Sequence, residues 1–187
     1  AGEGMNPEFL AELIAKRIYD WPEGFDIQSG ERVIDLGANV GVFSLYAATQ
    51  GALVVSVEAQ DRFFPLMEQL FEMNSVSPST SIHALVGCQT GAFNILQVRA
   101  NASHWGAEPE YFTVEESLER RGWYQVSMIK CDIEGSEYDL FLNSEPGTLR
   151  HVRRLALEIH TEYGDWHELA GFLRTCGYSV FVADSWR

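Results

Sequence analysis

Val33-Ile34-Asp35-Leu36-Gly37-Ala38-Asn39-Val40-Gly41 decides the fold. An apolar, β-branched run over 32–36 breaks into a glycine-bearing turn at 37–41, and a helical pattern then continues to about Gln50. Further apolar runs alternate with segments of helical period, which predicts a doubly wound α/β fold, a mostly parallel sheet with helices on both faces. Strands are expected at 53–57, 81–86, 126–131, 155–159 and 178–182. Upstream, Asn6 and Pro7 suit a helix start, and Leu10, Leu13, Ile14 and Ile18 recur on one face until Trp21-Pro22. Downstream, Asp61 can cap a helix whose inner face is Phe63, Met67, Leu70 and Phe71. A helix is expected at 136–142, and a last one carries Trp166, Leu169, Phe172 and Leu173 before Gly177 ends it. Between the third and fourth core strands, strand-like pieces at 93–98 and 111–114 flank a turn-rich stretch, Asn101-Ala102-Ser103-His104-Trp105-Gly106. They read as an inserted hairpin, 92–114.

The 187 residues suit one domain, 1–187, with no repeat or linker. At 46% apolar and 21% charged, the chain can build a packed core. Thirteen basic against 27 acidic residues leave a net charge of -14, which disfavours nucleic acid and anionic membranes, although Arg150, Arg153 and Arg154 cluster locally. Three scattered cysteines, Cys88, Cys131 and Cys176, make neither a disulfide framework nor a zinc knuckle. No basic-then-apolar leader and no span of about 20 apolar residues is visible, so a cytoplasmic protein is expected. Within residues 1–9, Gly4-Met5-Asn6-Pro7-Glu8-Phe9 resembles a vector remnant.

In an open sheet of this kind ligands bind beyond the carboxyl ends of the strands, here just after Leu36, Val57, Cys131 and Ile159. Gly37 and Gly41 allow a tight bend and a close ligand approach, and Asn39 suits a left-handed conformation. Glu58 follows Gly37 by 21 positions, a spacing that suits a carboxylate accepting both hydroxyls of a ribose. A nicotinamide dinucleotide would require Gly-x-Gly-x-x-Gly, and the spacing here fails that pattern. Asp35, aimed at the bend, would repel a pyrophosphate and attract a cation. Two unit charges about 4 Å apart are worth about 4 kcal/mol at an effective dielectric near ~20. S-adenosylmethionine, a cationic nucleoside without pyrophosphate, meets these demands through Asp35, Gly37, Ala38, Asn39, Gly41 and Glu58.

These residues resemble the FkbM-type methyltransferases. The resemblance covers roughly 30–160 and is carried by residues 33–44, by Val57-Glu58, by Ile129-Lys130-Cys131-Asp132-Ile133-Glu134-Gly135-Ser136-Glu137 and by Leu157-Glu158-Ile159-His160. Where the family often has proline and asparagine, this chain has Ala59 and Leu70, departures that bear on loop shape and adenine packing. The resemblance implies a class I methyltransferase, Rossmann-like fold, here one strand short of the usual seven. It also implies S-adenosylmethionine as cofactor and, as in known members, hydroxyl oxygens of sugars or polyketides as acceptors.

Methyl transfer is a one-step displacement, so assisting residues must surround the methyl donor. Asp132, Glu134, Glu158 and His160 converge on one rim. An imidazole titrates near neutrality, which makes His160 the candidate base for a hydroxyl acceptor, with Asp132 or Glu134 either orienting it or binding acceptor hydroxyls. The competing role for His160 is a strand-end histidine satisfied by a carbonyl. Glu134 and Glu137 flank a helix start, where negative charge is favourable anyway. Lys130 reads as an ion-pair partner. Glu158 and His160 share a strand face and could join a cation site, but nothing in the sequence fixes whether Asp132 shares that face, and no metal is expected. Family resemblance places acceptor recognition in the inserted hairpin, at His104 and Trp105, with an exposed turn as the alternative. His83, Cys88 and Cys131 read as core, and Trp123 and Tyr124 as anchors. The expected function is O-methylation of a small hydroxylated metabolite. The alternatives are a non-catalytic module engaging a protein partner and, further off, a nicotinamide-dependent oxidoreductase.

Overall fold

The computed structural model of the chain describes residues 22, 24–77, 80–87, 110–119, 121–144 and 146–183. Six strands make one sheet in the order β4-β3-β2-β1-β5-β6, and every neighbouring pair is parallel. The strands are β1 (Arg32–Leu36), β2 (Leu53–Glu58), β3 (Thr80–Val86), β4 (Glu110–Phe112), β5 (Val126–Cys131) and β6 (Val152–Leu157). The helices are α1 (Val42–Thr49), α2 (Phe64–Met73), α3 (Val114–Glu119), α4 (Glu137–Leu142), α5 (Pro146–Leu149) and α6 (Trp166–Thr175). None of the described helices is long and apolar enough to cross a membrane.

The central strands are apolar on both faces because both are covered. Ile34, Leu36, Val57, Ile129 and Cys131 pack with Phe141 and Leu169 of α4 and α6. On the opposite face Val33, Val54 and Met128 pack with Val42, Phe43 and Ala47 of α1. Strand alternation therefore puts Asp35 on the α1 face with Val33. Strand order reverses at β1, whose neighbours are β2 and β5, so the crevice between the ends of β1 and β5 is the switch point where such sheets bind ligands.

Four expectations shift. The strand expected at 155–159 runs instead over Val152–Leu157. Its start is disguised by Arg154, which is buried because Glu31 pairs with its guanidinium and the carbonyls of Gly24 and Asp26 accept from it at 3.2 and 3.1 Å. Arg153 also leans toward Glu31, at 3.6 Å, so two members of the arginine cluster are engaged within the fold. Residues 178–182 form no strand. Tyr178 instead turns its hydroxyl inward, where the carbonyls of Leu149 and Val152 share its proton at 2.7 Å each. Asp61 opens a 3-10 turn, Asp61–Phe63, rather than capping α2. Tyr124 is largely exposed, whereas Trp123 is buried as expected.

Of the 92–114 insertion, 92–109 lies outside the described residues, including the piece at 93–98 and the acceptor candidates His104 and Trp105. The second piece appears as β4, which extends the main sheet in parallel with β3, and Val114 already begins α3. The N-terminal helix expected after Asn6 also lies outside the described residues, as does Cys88.

Candidate active site

The bend after β1 has each of its amides bonded within the protein. Gly37 and Ala38 donate to the Val57 carbonyl at 3.0 Å each, and Gly41 donates to Ala38 at 2.8 Å. The Asn39 amide donates to Oε2 of Glu58 at 2.8 Å, and the Val40 amide to Oδ1 of Asn39 at 2.8 Å. Gly37, Asn39 and Gly41 all have positive φ, at 73°, 51° and 84°. A Cβ on Gly37 would stand 1.8 Å from the Asp132 carbonyl oxygen, and one on Gly41 would stand 2.5 Å from the Met67 side chain. At both glycines the protein itself makes a close approach. Gly37 lets the β1 and β5 loops touch, and Gly41 seats the bend on α2.

Asp35 also corrects an expectation. Its carboxylate does not face the bend: it is fully buried, with Oδ1 3.1 Å from Lys130 Nζ and Oδ2 accepting from the Ser44 hydroxyl at 2.6 Å. Ser44 in turn lies 2.7 Å from the Ser56 hydroxyl. Lys130 also donates to the Gly37 carbonyl at 2.9 Å. Asp35 is therefore tied to the bend through Lys130, whose ammonium is the cation it meets in the fold.

Glu58 closes the opposite wall. Its Oε1 accepts from the Gln60 amide at 2.8 Å, as its Oε2 does from Asn39, so backbone on both sides aims the carboxylate. Burial pushes its pKa above the usual glutamate range, and those amides with the Lys130 charge only partly offset that. Each carboxylate oxygen keeps a further lone pair, enough to accept the two hydroxyls of a ribose.

Asp132, Glu158 and His160 each bring one donor atom within 4.8 Å of the other two, so the rim expected from the sequence is assembled. A cation could be held by these three side chains. Burial, and then the charge of Asp132, push the Glu158 carboxyl up. Asp132 and His160 are half-buried, whereas Glu158 and Glu134 face solvent. His160 Nε2 lies 3.4 Å from Oε2 of Glu134. Its Nδ1 lies 2.9 Å from Oε1 of Glu137, a residue that sequence reasoning treated as an ordinary acidic helix start. Burial disfavours the charged ring, but the charge and hydrogen bond of Glu137, then Glu134 and Asp132, outweigh it, and the His160 pKa lies above its usual value. Glu134 adopts φ 55°, an uncommon conformation for a residue with a Cβ, which holds its side chain at this rim.

Residues 35–180 match the methyltransferase FkbM domain. The chain belongs to the FkbM methyltransferase family. This FkbM protein is an S-adenosylmethionine-dependent methyltransferase. No curated protein sequence matches it. Among solved structures it is similar to a precorrin-6y C5,15-methyltransferase from Geobacter metallireducens, with a TM-score of 0.59 and 10% identity over 98% of this chain and 79% of that one. It is also similar to a SAM-dependent methyltransferase from Agrobacterium tumefaciens, with a TM-score of 0.51 and 16% identity over 92% of this chain and 51% of that one. A precorrin 8w decarboxylase from Methanobacterium thermoautotrophicum aligns with a TM-score of 0.51 and 13% identity, over 96% and 75% of the two chains. These likenesses share the class I Rossmann-like fold.

The donor set of the bend fits this cofactor. A pyrophosphate needs free amides, and those of residues 37–41 are all committed within the protein. A nucleoside without phosphates needs acceptors, and Glu58 supplies them at the end of β2.

Proposed function

We propose that this FkbM protein methylates a hydroxyl oxygen of a small hydroxylated metabolite, such as a sugar or polyketide, in the cytoplasm. When bound, S-adenosylmethionine supplies a methyl group carried on a sulfonium. Glu58 would hold the ribose hydroxyls beside the bend formed by Gly37, Ala38, Asn39 and Gly41. Asp132, Glu134 and Glu158 would accept hydrogen bonds from the hydroxylated acceptor and orient one oxygen in line with the methyl carbon. That oxygen would take the methyl as its bond to sulfur breaks, leaving the neutral thioether S-adenosylhomocysteine, and would lose its proton to Nε2 of His160. General-base help of this kind is typically worth about 10²- to 10⁴-fold. The observation that carries the proposal is the placement of an imidazole among three carboxyl-bearing residues at the rim of the cofactor crevice. Such a cluster suits a neutral or cationic polyol better than an anionic acceptor.

The test is transfer of isotopically labelled methyl from the cofactor to fractionated small metabolites. Product structure distinguishes oxygen from nitrogen as acceptor, and the His160→Ala variant separates chemistry from binding. Turnover at least about 100-fold lower, with unchanged affinity for S-adenosylhomocysteine, is expected. A variant that keeps full turnover removes His160 from the reaction. A chain that binds cofactor and methylates nothing points instead to a module engaging a protein partner.

A further inference from the structure

We propose that Glu137 is a positioning residue for methyl transfer: its buried carboxylate fixes the His160 imidazole with Nδ1–H turned inward and Nε2 turned to the acceptor rim. The inference rests on the reading of His160 as the base and adds a second residue to it. Glu137 is 0% exposed and opens α4, while His160 lies three residues beyond the end of β6. Three donors converge on Oε1 of Glu137, the amides of Ile133 and Gly135 at 3.1 and 3.3 Å and Nδ1 of His160 at 2.9 Å. A carboxylate accepts and does not donate, so the neutral ring must carry its hydrogen on Nδ1 and present a lone pair at Nε2. The amides hold the carboxylate still, which makes the ring orientation a property of the folded chain.

The backbone of His160 is pinned as well. Its carbonyl accepts from the Tyr163 amide at 3.0 Å, and two residues earlier the Glu158 amide donates to Cys131 at 2.9 Å. Other charges face the ring: Glu134 from the β5–α4 loop, Asp132 from the end of β5 and Glu158 from beyond β6. Glu134 is 78% exposed on its side chain, so solvent screens it, whereas Glu137 acts from the dry interior. Geometry and burial therefore single out Glu137, and neither Asp132 nor Glu134, as the group that orients His160. The imidazolium formed when Nε2 takes the acceptor proton is stabilised by the same carboxylate, without any rearrangement.

The decisive measurement is nitrogen NMR of the imidazoles in the full chain labelled at histidine, with His160 assigned by loss of its signals in His160→Gln. In the wild type, above its titration midpoint, His160 is expected in the Nδ1–H form, the minor tautomer of free histidine. In Glu137→Ala, which removes the acceptor of Nδ1–H, that tautomer should lose its dominance. The kcat on the acceptor found by the methyl-label screen should fall at least about tenfold, and the KM for cofactor should stay within about twofold. An Nε2–H tautomer in the wild type overturns the inference whether or not the variant folds. An unchanged Nδ1–H dominance in folded Glu137→Ala overturns it alone and leaves the base reading standing. Full turnover in His160→Ala overturns the base reading, and the inference falls with it.

Discussion

Lys130 Nζ stands 3.1 Å from Oδ1 of Asp35, and neither side chain is more than 3% exposed. The pair bridges β1 and β5, the two strands that flank the switch point, and Lys130 extends it to the carbonyl of Gly37. Removing one partner strands the other charge in the core, typically at about 3–5 kcal/mol. Lys130→Met should therefore lower the unfolding free energy by about 3 kcal/mol or more and weaken cofactor binding. The double variant Asp35→Asn/Lys130→Met should lose less than the sum of the single changes. Urea unfolding and calorimetric titration with S-adenosylhomocysteine check both outcomes.

Glu58→Gln should weaken S-adenosylhomocysteine binding at least about tenfold, because an amide offers one acceptor oxygen where the carboxylate offers two. Its pH dependence has a defined sign. The folded pKa is raised, so the protonated form suits the fold, and the stability it contributes is lost as pH rises through that raised value. Cofactor affinity should run the other way, rising as the carboxylate ionises. Both slopes, measured from about pH 4 to pH 7, should flatten in Glu58→Gln.

Gly37→Ala meets two obstacles together. The backbone is left-handed there, and the added carbon would overlap the Asp132 carbonyl at 1.8 Å. Because a main-chain oxygen cannot rotate aside, the β1 and β5 loops must separate. The substitution should cost more than the ~1 kcal/mol typical of alanine at positive φ, and it should lower cofactor affinity. An unchanged Tm in differential scanning calorimetry would contradict this.

Tyr178 gives a test remote from the crevice. Burial is the main cause that raises its phenol to about 12. An unfolded tyrosine titrates near ~10, so this contribution to stability should be intact below that pH and lost as pH climbs through about 12. Tyr178→Phe should remove the alkaline loss and cost about 1 kcal/mol at neutral pH, the scale of one net hydrogen bond. Ultraviolet titration of the phenols and urea unfolding across that range report it.

The sequence disclosed what depends on local pattern. β1 and β5 stand where their apolar β-branched runs put them, and the 3.6-residue spacing of Leu169 and Leu173 located α6. Long-range pairing was out of reach. Nothing near Asp35 announces that its partner is Lys130, 95 positions later, although the parallel register sets them side by side. Arg154 read only as a member of a basic cluster because its neutralising carboxylate, Glu31, is remote in sequence. Glu137 was passed over because an acidic helix start is commonplace, and only its burial against His160 distinguishes it. Residues 178–182 have strand composition, yet anchoring the Tyr178 hydroxyl took precedence over extending the sheet.

The five amides from Gly37 to Gly41 have an evolutionary corollary. Three of the five, those of Gly37, Ala38 and Gly41, are bonded to main-chain carbonyls, so exchanging side chains would not liberate those three. Converting this crevice to a phosphate-bearing cofactor would mean rebuilding the loop's path, which makes the preference for a phosphate-free nucleoside resistant to point mutation.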